Sequence, residues 1–158
     1  MSNFVKEPNK YGGLTEARLL TFEKKINSTL PADYRSFMLS NNGGQPENEL
    51  FSFYNEGNEM DEVSVLECFL PIHDNPYKDS FKNRFAQPLE DVYKTLLEET
   101  DEKSFIPIAR DPCGNLICLS LNAETFGQIF FFDHEQEIFS FISQSFTEFF
   151  NNLERDTN

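Results

Sequence analysis

Leu30-Pro31-Ala32-Asp33-Tyr34-Arg35-Ser36-Phe37-Met38-Leu39-Ser40-Asn41-Asn42-Gly43-Gly44 reads as a complete helix with its start and stop signals in place. Pro31 suits the first helical position, where its fixed φ helps and its missing N–H would have no intrahelical partner. Asp33 falls in the first turn, against the positive end of the helix dipole. Tyr34, Phe37 and Met38 follow at i, i+3 and i+4 and make one apolar stripe. The Asn41-Asn42-Gly43-Gly44 run ends the helix, because Asn and Gly accept the left-handed conformation that closes it. No residue of this stretch is a catalytic group by type and setting, so it decides the fold and leaves function to its surroundings.

Working outward towards the N-terminus, residues 1–13 read as an irregular leader, since Pro8 and Gly12-Gly13 oppose regular structure. A single domain then occupies residues 14–158. Thr15 is a good N-cap for a helix running from Glu16 to about Asn27, with Leu19, Phe22 and Ile26 on one face. The short break at Ser28-Thr29 joins it to the quoted helix as a hairpin or corner.

Beyond Gly44 the apolar period changes. Strands are expected over 50–54 and 62–69, joined by Asn55-Glu56-Gly57-Asn58 as the turn of an antiparallel hairpin. Pro71 and Pro76 open an irregular stretch that reaches to about residue 87, long enough to form a flap or to hold a short further element. Pro88 begins a helix whose Leu89, Val92, Tyr93, Leu96 and Leu97 keep helical spacing throughout. Glu98, Glu99, Asp101 and Glu102 crowd its C-terminal end, where acid opposes the dipole. Strands over 105–109, 116–121, 128–133 and 138–142 follow at the turn spacing of an antiparallel meander. Ser145-Phe146-Thr147-Glu148 is a capping box for a closing helix carrying Phe146, Phe149, Phe150 and Leu153. The expected fold is α+β, one domain, with helices packed on a mainly antiparallel twisted sheet of about five to six strands.

Composition narrows the function classes. The 158 residues carry a net charge of −14, spread unevenly. Residues 1–46 hold six Lys/Arg and four Asp/Glu, a balance of +2, residues 47–102 hold four and fifteen, a balance of −11, and residues 103–158 three and eight, a balance of −5. Direct nucleic-acid binding is not expected, because phosphate recognition needs a basic face. A cationic protein partner would be drawn to the middle segment and its association speeded. The plain alternative is a solvated acidic face that serves solubility. Eighteen Phe and no Trp make the Phe rings the dominant core material, unless some form an exposed patch. Cys68, Cys113 and Cys118 fit neither a disulfide framework nor a zinc site. The N-terminus has no signal-peptide pattern and no run approaches the ~20 apolar residues of a membrane span, so a cytoplasmic protein is expected.

The chemistry-bearing motifs are few. His73 and His134 are the only histidines and neither has a metal-binding spacing. Asp133-His134-Glu135 is the densest ionisable cluster, but alternation along a strand would point its side chains apart, and a polar turn is the simpler reading. It is retained only as a remote candidate for a small hydrolase. Neither a nucleophile elbow nor a phosphate loop is present, Cys113 reads as a free turn cysteine, and no cofactor is implied. The expectation is a non-enzymatic protein.

Taken together, Leu30-Pro31-Ala32-Asp33-Tyr34 through Asn42-Gly43-Gly44, preceded by a helix carrying Glu23, resembles the N-terminal signature of the SUKH superfamily (Smi/Knr-like proteins). Phe105-Ile106-Pro107-Ile108-Ala109 with Asp111 and Gly114-Asn115, Ile117-Cys118-Leu119, Gly127-Gln128-Ile129-Phe130-Phe131, Asp133-His134-Glu135 and the closing capping box resemble that family's second half, in the same order. Cys113-Gly114-Asn115 departs from the Gly pair or Gly-Asp usual at that turn, and residues 47–87 match no part of the pattern. The resemblance implies one α+β domain that binds other proteins. Most bacterial members are inferred to be immunity proteins that neutralise a cognate polymorphic toxin, often a nuclease or deaminase, and fungal members resemble regulatory scaffolds, which is the alternative for this chain. On that reading Leu30, Pro31, Tyr34, Phe37, Gly43, Gly44, Asp111, Gly114 and Gly127 are structural. The acidic Glu56, Glu59, Asp61 and Glu62 are the candidate contacts for a basic toxin, possibly a nuclease, with no membrane or nucleic acid bound directly.

Overall fold

The computed structural model describes residues 3–77 and 83–157. Two helices come first, α1 (Glu16–Lys25) and α2 (Ala32–Asn41), followed by strands β1 (Leu50–Asn55), β2 (Met60–Val65) and β3 (Cys68–Phe69). A single 3-10 turn, Arg84–Ala86, precedes α3 (Leu89–Thr100). Strands β4 (Phe105–Arg110), β5 (Leu116–Ser120), β6 (Ile129–Asp133) and β7 (Ile138–Ser143) lead to α4 (Phe146–Asn151). The fold is α+β. Its main sheet is five-stranded and antiparallel, in the order β3-β4-β5-β6-β7, and β1 and β2 form a separate two-stranded sheet.

The helix ends follow the local chemistry. The Thr15 hydroxyl accepts from the Arg18 N–H and opens α1, and the Ser145 hydroxyl accepts from the Glu148 N–H and opens α4. Pro31 stands one position earlier than its sequence position suggests. With φ −54° and ψ 140° it is the N-cap of α2, its carbonyl accepting the first intrahelical bond from Arg35. At the other end Asn42 takes the left-handed conformation (φ 47°), as the Asn-Gly run predicts. The stretch expected as one strand over 62–69 is two. Leu66 still donates to Glu49 beside β1, whereas Glu67 donates to Arg110 in β4, so the chain passes from one sheet to the other at that point.

Side-chain alternation along the main sheet sends Ile106, Ile117, Leu119, Ile129 and Phe131 to one face, where they join residues of α1, α2 and α4 in the principal core. Cys118 and Phe132 face the other way, against Leu96 of α3. With both faces covered, every residue of β5 after Leu116 is buried. Phe rings knit the principal core together. Phe37 lies 4.9 Å from Phe69, 4.8 Å from Phe146 and 5.3 Å from Phe150, and Phe53 stacks at 4.3 Å on Phe131. Such pairs add roughly 0.5–1.5 kcal/mol each to the burial of their area.

The leader is irregular but not detached. Val5 is buried and bridges to Pro46, and the Asn3 amide donates to the Asn48 and Phe150 carbonyls. The stretch after β3 contains the 3-10 turn that a long loop there allows, and the part of it at 78–82 lies outside the described residues.

Candidate interaction surface

The β1–β2 hairpin is a small two-stranded sheet with one face on the core. Phe51 and Phe53 point inward, while Ser52 and Tyr54 point out. Across the hairpin Tyr54 faces Asp61 and Ser52 faces Val63, so these four side chains share the outer face. Tyr54 is 50% exposed, Met60 54% and Val63 67%, the last being the most exposed large apolar side chain described. Tyr54 and Val63 thus leave apolar area in water beside the Asp61 carboxylate on the outer face.

The tip of the hairpin is tightly built. The Asn55 side-chain oxygen accepts from the Gly57 and Asn58 N–H groups, and its amide donates to Glu62 at 2.9 Å. Asn58 donates to the same Glu62 carboxylate at 2.7 Å. Glu62 is therefore committed to the turn and half-buried. Glu56, Glu59 and Asp61 are exposed, and no hydrogen bond or ion pair of their side chains occurs among the described residues. Of the four acids grouped by sequence, three are free for a partner and one holds the turn.

A second segment joins them. Gln136, in the turn between β6 and β7, donates to the Asn58 side chain at 2.7 Å, and Glu56 donates its N–H to the buried Ser140 hydroxyl of β7. Gly57 comes so near that a Cβ there would lie 2.5 Å from the Gln136 side-chain oxygen. The exposed Glu135 and Glu137 thus stand beside the hairpin tip and extend its acidic surface. No sequence signal linked the two turns. The strand alternation at Tyr54 and Val63, by contrast, was there to be read.

The remaining candidates are accounted for by structure. Asp133 accepts from the Glu135 and Gln136 N–H groups, while the His134 Nε2 pairs with the Cys113 carbonyl at 2.9 Å. Asp133 and His134 therefore hold turns, Glu135 points to solvent, and the three do not converge on a reacting group. Asp111 is buried and accepts from the Cys113 and Asn115 N–H groups and the Asn115 amide, which shapes the turn containing Gly114 (φ 90°). A cavity of about 220 Å³ between α3 and the sheet is lined by Val92, Leu96, Leu116, Phe132, Arg110 and His134 among others. Of its two basic groups, His134 pairs with the Cys113 carbonyl, and Arg110 donates to Glu67 through Nε and to Gln87 through Nη1, while its buried Nη2 has no hydrogen-bond partner among the described residues. Burial pushes the Cys68 and Cys118 thiols upward in pKa, which keeps them protonated and unreactive. Among the described residues no three His, Cys, Asp or Glu are placed to hold a metal ion. Nor is any described helix long and apolar enough to cross a membrane.

The signature residues are structural in placement. Leu30, Tyr34 and Phe37 are buried, and Pro31 packs near Gly127 (φ 87°). A Cβ on Gly43 would lie 2.8 Å from the Phe69 carbonyl oxygen and from the Pro71 nitrogen, and Gly44 exchanges backbone hydrogen bonds with Phe69. The glycine pair is thus what lets the end of α2 lie against β3. A family model described as SMI1 / KNR4 family (SUKH-1) matches residues 13–152. A SPbeta prophage-derived uncharacterized protein, YokK, of Bacillus subtilis (strain 168) is 27% identical over 166 aligned residues, which cover 94% of this chain and 80% of that protein.

Proposed function

Because this chain belongs to the SMI1 / KNR4 (SUKH-1) family, we propose that it is an immunity protein of the producing cell's cytoplasm, which neutralises a basic toxin, such as a nuclease, by direct binding. The observation that carries this reading is the hairpin surface: exposed Tyr54, Met60 and Val63 set among the free carboxylates of Glu56, Glu59 and Asp61, with Glu135 and Glu137 alongside. Aromatic and aliphatic anchors within a charged surround are how protein interfaces concentrate their energy. The carboxylates would raise the association rate of a cationic partner and make it fall steeply with salt. A toxin so held is blocked by occlusion, which asks for no catalytic group on this chain. The kinship to a prophage-derived protein agrees with a role in conflict between genomes.

The test is co-expression with the product of the neighbouring gene, scored by cell survival and by co-purification. Survival with the wild-type chain, and its loss when Glu56, Glu59 and Asp61 are all changed to Lys, is the expected result. Full protection by that triple variant would place the contact elsewhere, and no protection by the wild type against its neighbour would sink the immunity reading.

A further inference from the structure

The hairpin has a free edge as well as a free face. Leu50 exchanges backbone hydrogen bonds with Glu154, on the side away from β2, and Leu66 donates to Glu49. In an antiparallel ladder, opposite residues alternate between bonded and non-bonded pairs. Leu50 faces Val65, so that pair is non-bonded, and the alternation turns the backbone N–H and C=O of Val65, Val63 and Asp61 away from β1. Among the described residues no other strand pairs with that side of β2.

Natural edge strands are commonly guarded by Lys, Pro, a bulge or extreme shortness. β2 has six residues, an unbroken register with β1, and neither Lys nor Pro. Its only guards are Asp61 and Glu62, and Glu62 is drawn into the turn. An acidic guard discriminates: it opposes pairing with a second copy of this chain, whose net charge is −14 and whose edge would set acid against acid. It attracts a basic strand.

We propose that the free edge of β2 takes up an extended strand of the basic partner protein, with Lys or Arg beside Asp61 and an apolar residue two positions along beside Val63. Backbone hydrogen bonds would supply affinity and the alternate side chains selectivity, as in other cases of strand addition. Tyr54 and Val63 would then cover the incoming apolar group on the outer face, which accounts for two apolar side chains that the fold itself leaves in water. This mode rests on the partner being a basic protein, and it specifies how that partner is held.

The probe is the end-blocked peptide Thr-Lys-Thr-Val-Thr-Lys-Thr, titrated into the isotope-labelled full chain and followed by amide NMR. Shifts and slowed exchange confined to Asp61, Val63, Val65 and their β1 neighbours are expected. N-methylation of alternate peptide nitrogens on the pairing side should weaken binding about tenfold or more. Val63→Pro removes a donor that the fold does not use, at a site where edge strands tolerate Pro, and should weaken binding similarly. Asp61→Lys should exchange the preference for that of Thr-Glu-Thr-Val-Thr-Glu-Thr. Equal binding of the N-methylated peptide, shifts on another surface, or no shifts at all would overturn the proposal, even if Val63→Pro failed to fold. So would a concentration-dependent dimer that Val63→Pro abolishes, since the edge would then serve self-association. Full protection by a folded Val63→Pro chain, with protection lost in the Glu56, Glu59 and Asp61 triple reversal, would remove strand addition while leaving the immunity reading intact.

Discussion

The turn leaving α2 and the β1–β2 hairpin are both short, Asn- and Gly-containing reversals, yet they are finished in opposite ways. At the first, the Asn side chain that closes the turn is used wholly inside the fold. Asn42 is buried, its amide donates to the Gly12 and Ile72 carbonyls, and its oxygen accepts from the Ile72 N–H. At the second, only the tip is closed, by Asn55, Asn58 and Glu62, while three carboxylates, Tyr54, Val63 and one backbone edge face solvent. Satisfied and buried groups make stability, whereas groups left open serve whatever arrives from outside. On the reading proposed above, changes in the first region act on folding and changes in the second on binding.

The largest effect is expected at Asn42. Asn42→Ala leaves the buried Ile72 carbonyl and N–H without that partner, removes the bond to the exposed Gly12 carbonyl and puts Ala in the left-handed region, and it should cost about 3 kcal/mol in chemical denaturation. Next comes Glu23, a buried carboxylate that accepts from the Leu30 N–H at 2.8 Å and from Arg35 at 3.2 Å. Glu23→Ala should cost about 2 kcal/mol, with Glu23→Gln recovering part of it because an acceptor for Leu30 remains. Neither change should alter the salt dependence of partner binding in the folded fraction. If either did, the separation of scaffold from surface would be broken.

How much of this was legible follows from the range of the forces involved. Thr15, Ser145, Asn42 and Pro88 act on their own backbone within a few residues, so the helix ends they mark could be read to within a position, whereas the end of α1, expected near Asn27, falls at Lys25. The handover from β2 to β3 could not, because neither Gly nor Pro marks Leu66-Glu67 and the change is set by which distant carbonyl, Glu49 or Arg110, each N–H meets. The acidic character of the site was visible as a charge bias in residues 47–102. The contribution of Glu135 and Glu137 was not, since only the Gln136–Asn58 contact brings the second turn to the first. The engagement of Glu62 within the turn was hidden for the same reason: its partners Asn55 and Asn58 lie in the turn's three-dimensional shape and not in its composition.

A smaller effect depends on pH. Glu90 is bound by Arg18 and by Lys25, at 2.9 Å for the latter. Burial raises the Glu90 pKa, but the Lys25 and Arg18 hydrogen bonds outweigh it, and the net shift is downward from 4.5. A carboxylate with a lowered folded-state pKa contributes stability that is complete above its unfolded value and lost as pH falls through the folded one. The pair should therefore add about 1 kcal/mol at neutral pH and fade below about pH 4.5. Arg18 also pairs with Asp74, whose pKa it lowers from 3.8, so Arg18→Ala should lower the melting temperature at pH 7 and lower it less at pH 3, as both carboxylates protonate. An equal loss at both values would assign the effect to packing of the Arg18 stem.

The smallest effect separates two acids of one hairpin. Glu62→Ala removes the acceptor shared by Asn55 and Asn58 and should cost about 1 kcal/mol. Glu59→Lys alters an exposed side chain at a positive-φ position (53°) that Lys occupies no worse than Glu, so its stability should stay within about 0.5 kcal/mol. In partner binding the order reverses. Glu59→Lys should slow association, an effect that shrinks as salt rises, whereas Glu62→Ala should act chiefly by loosening the tip, with a salt dependence close to that of the wild type. Stopped-flow association at two ionic strengths distinguishes them. If Glu62→Ala carried the larger salt effect, its carboxylate would belong to the binding surface, and the division between the closed tip and the open face would have to be redrawn at that residue.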